Sequence, residues 1–162
     1  MCSAHMIITY KKQKYIMKIL TQKITCVTKV QTDFYDITDD VRALVAQSGI
    51  TNGTVCVFAQ HTTMGVLINH NEPMLLKDIA RVLDGLAPVN SQYAHDLFEL
   101  RRGSTSDGRS NGHSHCKAAF IGTSEHVPVV DGRLALSEIQ SIFAVDLDGP
   151  RNRDVLVQIS GL

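Results

Sequence analysis

The sequence carries no excess of either charge. Sixteen lysines and arginines balance sixteen aspartates and glutamates across 162 residues, and the pI lies near 7.0. This balance removes the electrostatic footprint expected of a nucleic-acid binder, although a local basic patch fits inside a neutral total. No apolar run approaches the roughly 20 residues that a membrane-spanning helix needs. The opening MCSAHMIITYKKQKY also lacks the apolar stretch and small-residue cleavage site of a secretory signal, so the expected location is cytoplasmic. No C-x-x-C pair exists among Cys2, Cys26, Cys56 and Cys116. Scattered this widely in a chain of this length, they read as reduced thiols rather than a disulfide framework. Cys26 and Cys56 fall in apolar strand-like runs, where packing explains them, while Cys116 follows His115 and is a weak candidate nucleophile. Tryptophan is missing altogether.

What is present reads as one globular domain. Apolar residues make up 44% and charged residues 20%, and the chain is long enough to bury a core. Residues 1–14 are expected to be an extension, partly an expression tag, with a single domain over 15–162. KYIMKILTQKITCVTKVQT is rich in β-branched residues with partial alternation, and predicts a long strand or a bent pair. DITDDVRALVAQSG predicts a helix capped by Thr38 or Asp39 and ended by Gly49. GTVCVFAQ and GVLIN are buried-type strands on either side of His61-Thr62-Thr63.

Pro73 then opens a second helix, EPMLLKDIARVLDGLAP, whose Leu75, Leu76, Ile79, Val82, Leu83 and Leu86 form one apolar stripe. ELRRGSTSDGRSNGHSH is an irregular loop, followed by HCKAAFIG as a short helix or strand. HVPVVDGRLAL, QSIFAVDLDG and DVLVQISG complete the chain as strand-like runs, with a hairpin signal at Asp131-Gly132. Strands with two principal inserted helices predict an α+β domain with a mainly antiparallel sheet.

Chemistry-bearing residues gather around histidine. His5 belongs to the extension and His126 to an exposed turn, which leaves His61, His70, His95, His113 and His115. His113 and His115 are the one close pair; in an extended segment both rings would face one side and share a metal. A flexible polar loop explains the same two residues. Asn69, Asn71 and Glu72 suit helix capping as well as they suit a site. Asp78 fits a solvated helix face. Gly122-Thr123-Ser124 and the DGPRNR stretch at 148–153 present backbone N–H groups, hydroxyls and arginines to an anion, and each is equally an ordinary turn.

In combination these pieces carry a resemblance. HTTMGVLINHNEP, KDIARVL, YAHDL, GHSHCKAAFIGTS, VPVVDGRLAL and IQSIFAVDLDGPRNRDVLVQISG occur in an order that resembles the YjbQ-like family, from about residue 20 to the C-terminus. His61, Thr62 and Thr63 match its His-Thr-Thr/Ser. Asn69 and Asn71 match its Asn-Glu-Asn, with His70 in place of the glutamate. Asp78, His95, His115 and the Gly122–Ser124 turn match further motif positions, and His113 has no clear counterpart. Gln140 ends a Gly-x-Trp-Gln motif whose glycine and tryptophan are replaced by Ser137 and Ile139.

The resemblance implies an α+β sandwich-like trimer with a metal-supporting histidine set near subunit boundaries. The family has been described as a secondary thiamine-phosphate synthase type. The implied activity is therefore a metal-assisted transferase that couples an aminopyrimidine pyrophosphate to a thiazole phosphate. On that reading His61, His95 and His115 hold a divalent cation, zinc or similar, with magnesium carried by the substrate. His61, His70 and Asp78 act in catalysis, and Thr62, Thr63, Asn69, Asn71, Ser124, Arg133, Gln140 and Arg151 contact a phosphorylated small molecule. The rival readings are a metal-dependent phosphate-ester hydrolase and a non-enzymatic trimeric metabolite binder. The strand-like run between His61 and His70 spans roughly 17 Å, so its two polar ends are not expected to serve one ion within one chain.

Overall fold

The structure is a computed structural model that describes residues 16–101 and 108–162. The N-terminal extension, with His5 and Cys2, lies outside the described residues, as do residues 102–107 of the long loop.

The β-branched N-terminal segment forms one long strand, β1 (Lys18–Val27), in one sheet, and β2 (Asp33–Asp36), just beyond that segment, joins the other. Helix α1 (Thr38–Ser48) follows and ends at Gly49, which adopts φ 60°, the left-handed conformation that glycine takes without strain. Its cap differs from expectation. The Asp36 carboxylate accepts the Thr38 backbone N–H at 2.9 Å. Thr38 itself is buried, and its hydroxyl accepts the Ile142 N–H at 2.8 Å. A carboxylate two residues upstream therefore does the capping, which frees Thr38 to tie α1 to the sheet.

Strands β3 (Gly53–Ala59) and β4 (Met64–His70) flank the His61–Thr63 turn. Helix α2 (Pro73–Leu86) starts with proline at its first position, and the Glu72 carboxylate accepts the N–H groups of Met74 and Leu75 at 2.8 and 2.7 Å. The ambiguous segment after the loop is helical. Helix α3 spans Gly112–Ile121 and so begins inside the stretch read as irregular. Strands β5 (Ser124–Val130) and β6 (Arg133–Leu134) form the expected hairpin. Asp131 (φ 48°) and Gly132 (φ 73°) both take the left-handed conformation, the signature of a turn that matches strand twist. Strands β7 (Gln140–Asp146) and β8 (Asn152–Gly161) close the fold.

All the pairings are antiparallel. One sheet has the order β1-β8-β3-β5-β6 and the other β2-β7-β4. Among the described residues the fold is thus α+β, a sandwich of two antiparallel sheets with three α-helices, the third being the segment that the sequence left open between helix and strand. The main core lies between the sheets: Val55, Val57, Val127, Val155 and Val157 from one side meet Met64, Val66, Ile142 and Ala144 from the other.

The intervening residues of β7, Phe143 and Val145, point the opposite way, into a second core closed by Leu76, Ile79 and Leu83 of α2 and Ala118 and Ile121 of α3. Strand β7 is therefore apolar on both faces because it is covered on both. Gly65 shows how tightly α3 seats on β4: a Cβ there would lie 2.6 Å from the Ile121 side chain and 2.7 Å from the Gly122 carbonyl oxygen. The α2 stripe is only partly used, since Val82 and Leu86 remain exposed.

Phe143 is fully buried and meets Phe34 edge-on at a 6.2 Å ring separation. Truncation by Phe143→Ala opens a cavity at the contact between sheet and helices. Urea unfolding should show a stability loss of roughly 3–5 kcal/mol.

Candidate functional site

The site forms where the two sheets are joined. The chain leaves the five-stranded sheet at Ala59, turns through Gln60–Thr63 and enters the three-stranded sheet at Met64. That turn is pinned from below. The Thr63 carbonyl accepts the Leu147 N–H at 3.0 Å, and Arg153 at the start of β8 donates from Nη2 to the Thr63 hydroxyl at 3.0 Å. Arg153 also donates from Nε to Asp146 Oδ1 at 3.0 Å, while the Thr28 hydroxyl donates to the other Asp146 oxygen at 2.7 Å. Asp146 and Thr63 are fully buried, and Arg153 is 5% exposed. A charged pair survives in such a place because both partners are hydrogen-bonded as well as opposed in charge.

This arrangement fixes the chemistry of His61. Its Nδ1 receives the Thr63 backbone N–H at 3.2 Å and lies 2.9 Å from the Thr63 hydroxyl. A ring nitrogen that accepts an N–H carries no proton, so the neutral ring is protonated on Nε2. Desolvation lowers the His61 pKa below its ordinary value, and the neighbouring Arg153 charge lowers it further.

Helix α3 brings the second imidazole. Its N-terminus is anchored by the Asp96 carboxylate, which accepts the N–H groups of Asn111 and Gly112, each at 3.0 Å. Asn111 also donates to Asp148 at 3.2 Å, and the Ser114 hydroxyl donates to the Leu147 carbonyl. Held there, the His115 ring lies beside the backbone of Thr62 and meets the His95 ring edge-on, with centroids 4.5 Å apart. Burial is the largest influence on the His115 pKa and lowers it, the His95 charge lowers it too, and the Thr62 backbone works in the opposite direction. Arg151 flanks the group, donating to Asp148 Oδ2 at 3.0 Å. An open recess of about 620 Å³, lined by residues 89–94 with Asp96, Leu97 and Ser110, adjoins the His95 segment without including the His95 or His115 rings.

His61, Thr62, Thr63, His95, His115 and Arg151 thus gather at one end of the sandwich. The Gly122–Ser124 turn lies beside the end of β3, where Ala59 donates to the Thr123 carbonyl at 2.8 Å. The remaining predicted residues are elsewhere. Asn69, His70 and Gln140 lie at the far end of β4 and β7, where His70 pairs with Gln140 and Asn71 donates to Asp36 at 2.7 Å. Asp78 is exposed on α2 and paired with Arg81 at 3.2 Å. Arg133 is exposed on β6.

His113 and His115 do not share a side. On a helix, residues two apart diverge, so the extended-segment reading fails. His113 is buried, and its Nε2 accepts from the Gln31 amide at 2.8 Å. Sequence reasoning missed Asp146, Asp148 and Asn111, and it offered Arg153 only as a surface charge or an anion contact. The available signal was two acidic residues inside the apolar run FAVDLDG, where an unpaired charge would be costly.

The expected metal centre is corrected by this geometry. Among the described residues, no three His, Cys, Asp or Glu side chains are grouped so as to hold an ion. His95 and His115 form a pair, while the His61 Nδ1 lone pair is already engaged and its other nitrogen bears the proton. The histidine set does not fit a bound divalent cation.

Comparison with known proteins adds context. The profile of the family described as UPF0047 protein YjbQ-like matches residues 22–162. A UPF0047 protein of Methanothermobacter thermautotrophicus is 38% identical over 145 residues, covering 90% of this chain and 94% of the relative. A crystal structure of a YbjQ-like protein of unknown function from Sulfolobus solfataricus has a TM-score of 0.82 at 34% identity, covering 91% of this chain and all of that one. A structure of a YjbQ/UPF0047 protein from Clostridium acetobutylicum gives 0.75 at 34% identity, covering 85% and 98%.

None of the three is described as a synthase, a transferase, a hydrolase, a metal enzyme or a metabolite binder. The expected thiamine-phosphate synthase activity, with its metal-dependent hydrolase rival, is therefore withdrawn: the matched Sulfolobus protein is of unknown function, and the metal set that the activity required is not assembled among the described residues.

His61, His113 and His115 all titrate below the ordinary value of 6.5, chiefly through burial. As the pH falls, the unfolded chain takes up protons before the folded one does. Their contribution to stability is complete above 6.5 and is lost progressively as the pH drops below it. Urea midpoints measured downwards from neutral pH should fall, and His113→Gln should make that fall shallower.

Proposed function

Because the chain belongs to the YjbQ-like UPF0047 family, and because its histidines are set for proton handling rather than for an ion, we propose that the His61–His115 end binds a small oxyanion-bearing molecule and exchanges protons with it. One observation carries this reading: two neutral imidazoles of opposite polarity flank the same turn. His61 offers an Nε2–H donor, because its Nδ1 is occupied. His115, whose ring lies beside the Thr62 backbone, is a neutral imidazole with a ring lone pair to offer as acceptor. A donor and an acceptor held on either side of one turn, each with its pKa lowered so that it is neutral at physiological pH, meet the requirements for general acid–base work.

A phosphate or carboxylate oxygen suits the His61 donor, with Arg151 close by to offset charge. The described cysteines Cys26, Cys56 and Cys116 are all free thiols, which supports a reducing, cytoplasmic setting. Exposed Val82, Leu86 and Phe120 on the helical layer support self-association, for which the family resemblance suggests three copies. Sedimentation of the full chain at the mass of three copies is expected, and a monomer would refute that assembly.

Calorimetric titration with inorganic phosphate, in two buffers of different ionisation enthalpy, tests the function directly. Binding should be saturable and accompanied by net proton exchange. His115→Ala should remove the proton exchange, and His61→Ala should weaken binding by roughly 1.5–3 kcal/mol, the scale of a hydrogen bond to a charged group. Saturable binding without proton exchange, or no saturable binding of phosphate or malonate, would overturn the proposal.

A further inference from the structure

We propose that Thr63 is a positioning residue: gripped by Arg153, its hydroxyl keeps the ring proton of His61 on Nε2 and so commits His61 to donate a hydrogen bond to whatever occupies the site. The relay is a property of the ligand-free protein. Only its consequence for ligand choice rests on the function proposed above.

The direction of each bond follows from what the groups can do. A guanidinium has N–H donors and no acceptor, so in the 3.0 Å contact between Arg153 Nη2 and Thr63 Oγ1 the hydroxyl oxygen accepts. The hydroxyl proton must then go to another acceptor, and His61 Nδ1 lies 2.9 Å away. The Thr63 backbone N–H reaches the same nitrogen at 3.2 Å. Two donors converging on one lone pair oppose a proton there. Arg153 has no freedom to release its grip, because Asp146 holds its Nε and Thr28 in turn holds Asp146.

Thr63 is fully buried, so its hydroxyl cannot serve a ligand directly. The sequence motif placed it among substrate contacts; in the fold it acts on the ligand only through His61. The consequence is selective. The ligand group that meets His61 must be a hydrogen-bond acceptor, such as a carbonyl, carboxylate or phosphate oxygen, and an ammonium or N–H group would face a donor.

Long-range proton–nitrogen correlation spectra of the histidine rings in ligand-free, ¹⁵N-labelled protein read the tautomer directly. Wild-type His61 should show a single Nε2–H form, and Thr63→Ser should keep it. Thr63→Val removes the hydroxyl and leaves only the longer backbone contact, so a mixture of the two tautomers should appear. A pure Nε2–H signal in Thr63→Val would overturn the role of the hydroxyl, as would an Nδ1–H form in the wild type. Should Thr63→Val fail to fold, the wild type still decides. The buried Thr63 hydroxyl proton should couple to His61 Nδ1 across the hydrogen bond, and absence of that coupling refutes the relay. Failure to bind phosphate leaves these spectra unchanged, so the relay and the functional reading fail separately.

Discussion

The buried ion pair of Arg153 with Asp146 is the point on which the rest of the molecule turns. Asp146 ends the central strand of one sheet and Arg153 begins the second strand of the other, so their contact joins the two layers at the open end of the sandwich. Neither charge reaches solvent to any extent. Thr28 after β1 and Thr63 before β4 are further partners, so four strand ends converge on two side chains. Breaking a buried pair of this kind by deleting one partner typically costs about 3–5 kcal/mol, because the other charge is left stranded. Apolar packing elsewhere between the sheets supplies most of the cohesion; this pair sets how the sheets meet.

The chemistry of the site is an outgrowth of that joint. The His61–Thr63 turn is one of the covalent links between the sheets, and the same arginine that neutralises Asp146 orients the turn. Asp148, two residues beyond Asp146, ties in Arg151 and the Asn111 side chain at the head of α3. In this way the β7–β8 connection positions both imidazoles: His61 through Thr63, and His115 through the seating of α3. The apolar contact of Ile121 with Gly65 fixes the other end of the helix.

Much of this was legible in the sequence, for physical reasons that also explain what was not. The α2 stripe, the Asp131-Gly132 hairpin and the strand character of QSIFAVDLDG are local patterns, and local rules read them. Helix α3 was ambiguous because it begins with Asn111 and Gly112, residues that favour turns, and its start is stabilised by Asp96, fifteen and sixteen positions away. The misreading of His113 and His115 as a facing pair followed from that ambiguity, since an extended segment and a helix send alternate residues in different directions. His61, His95 and His115, which the motif grouped as metal ligands, lie at one end without forming a metal set among the described residues. The motif could not reveal that Thr63, itself held by Arg153, engages the Nδ1 nitrogen of His61. His70 and Gln140 shared the motif yet sit at the opposite end of β4, as the length of that strand requires.

Substituting Arg153 and Asp146 together by apolar residues of similar volume is the kind of change that often leaves a fold intact, or firmer by about 1–4 kcal/mol. Here the gain in robustness would come at the expense of the anchorage of His61. Engineering for heat resistance and selection for activity would thus pull the same two positions in opposite directions, and a thermally hardened variant of this protein would be a natural place to look for a silent site.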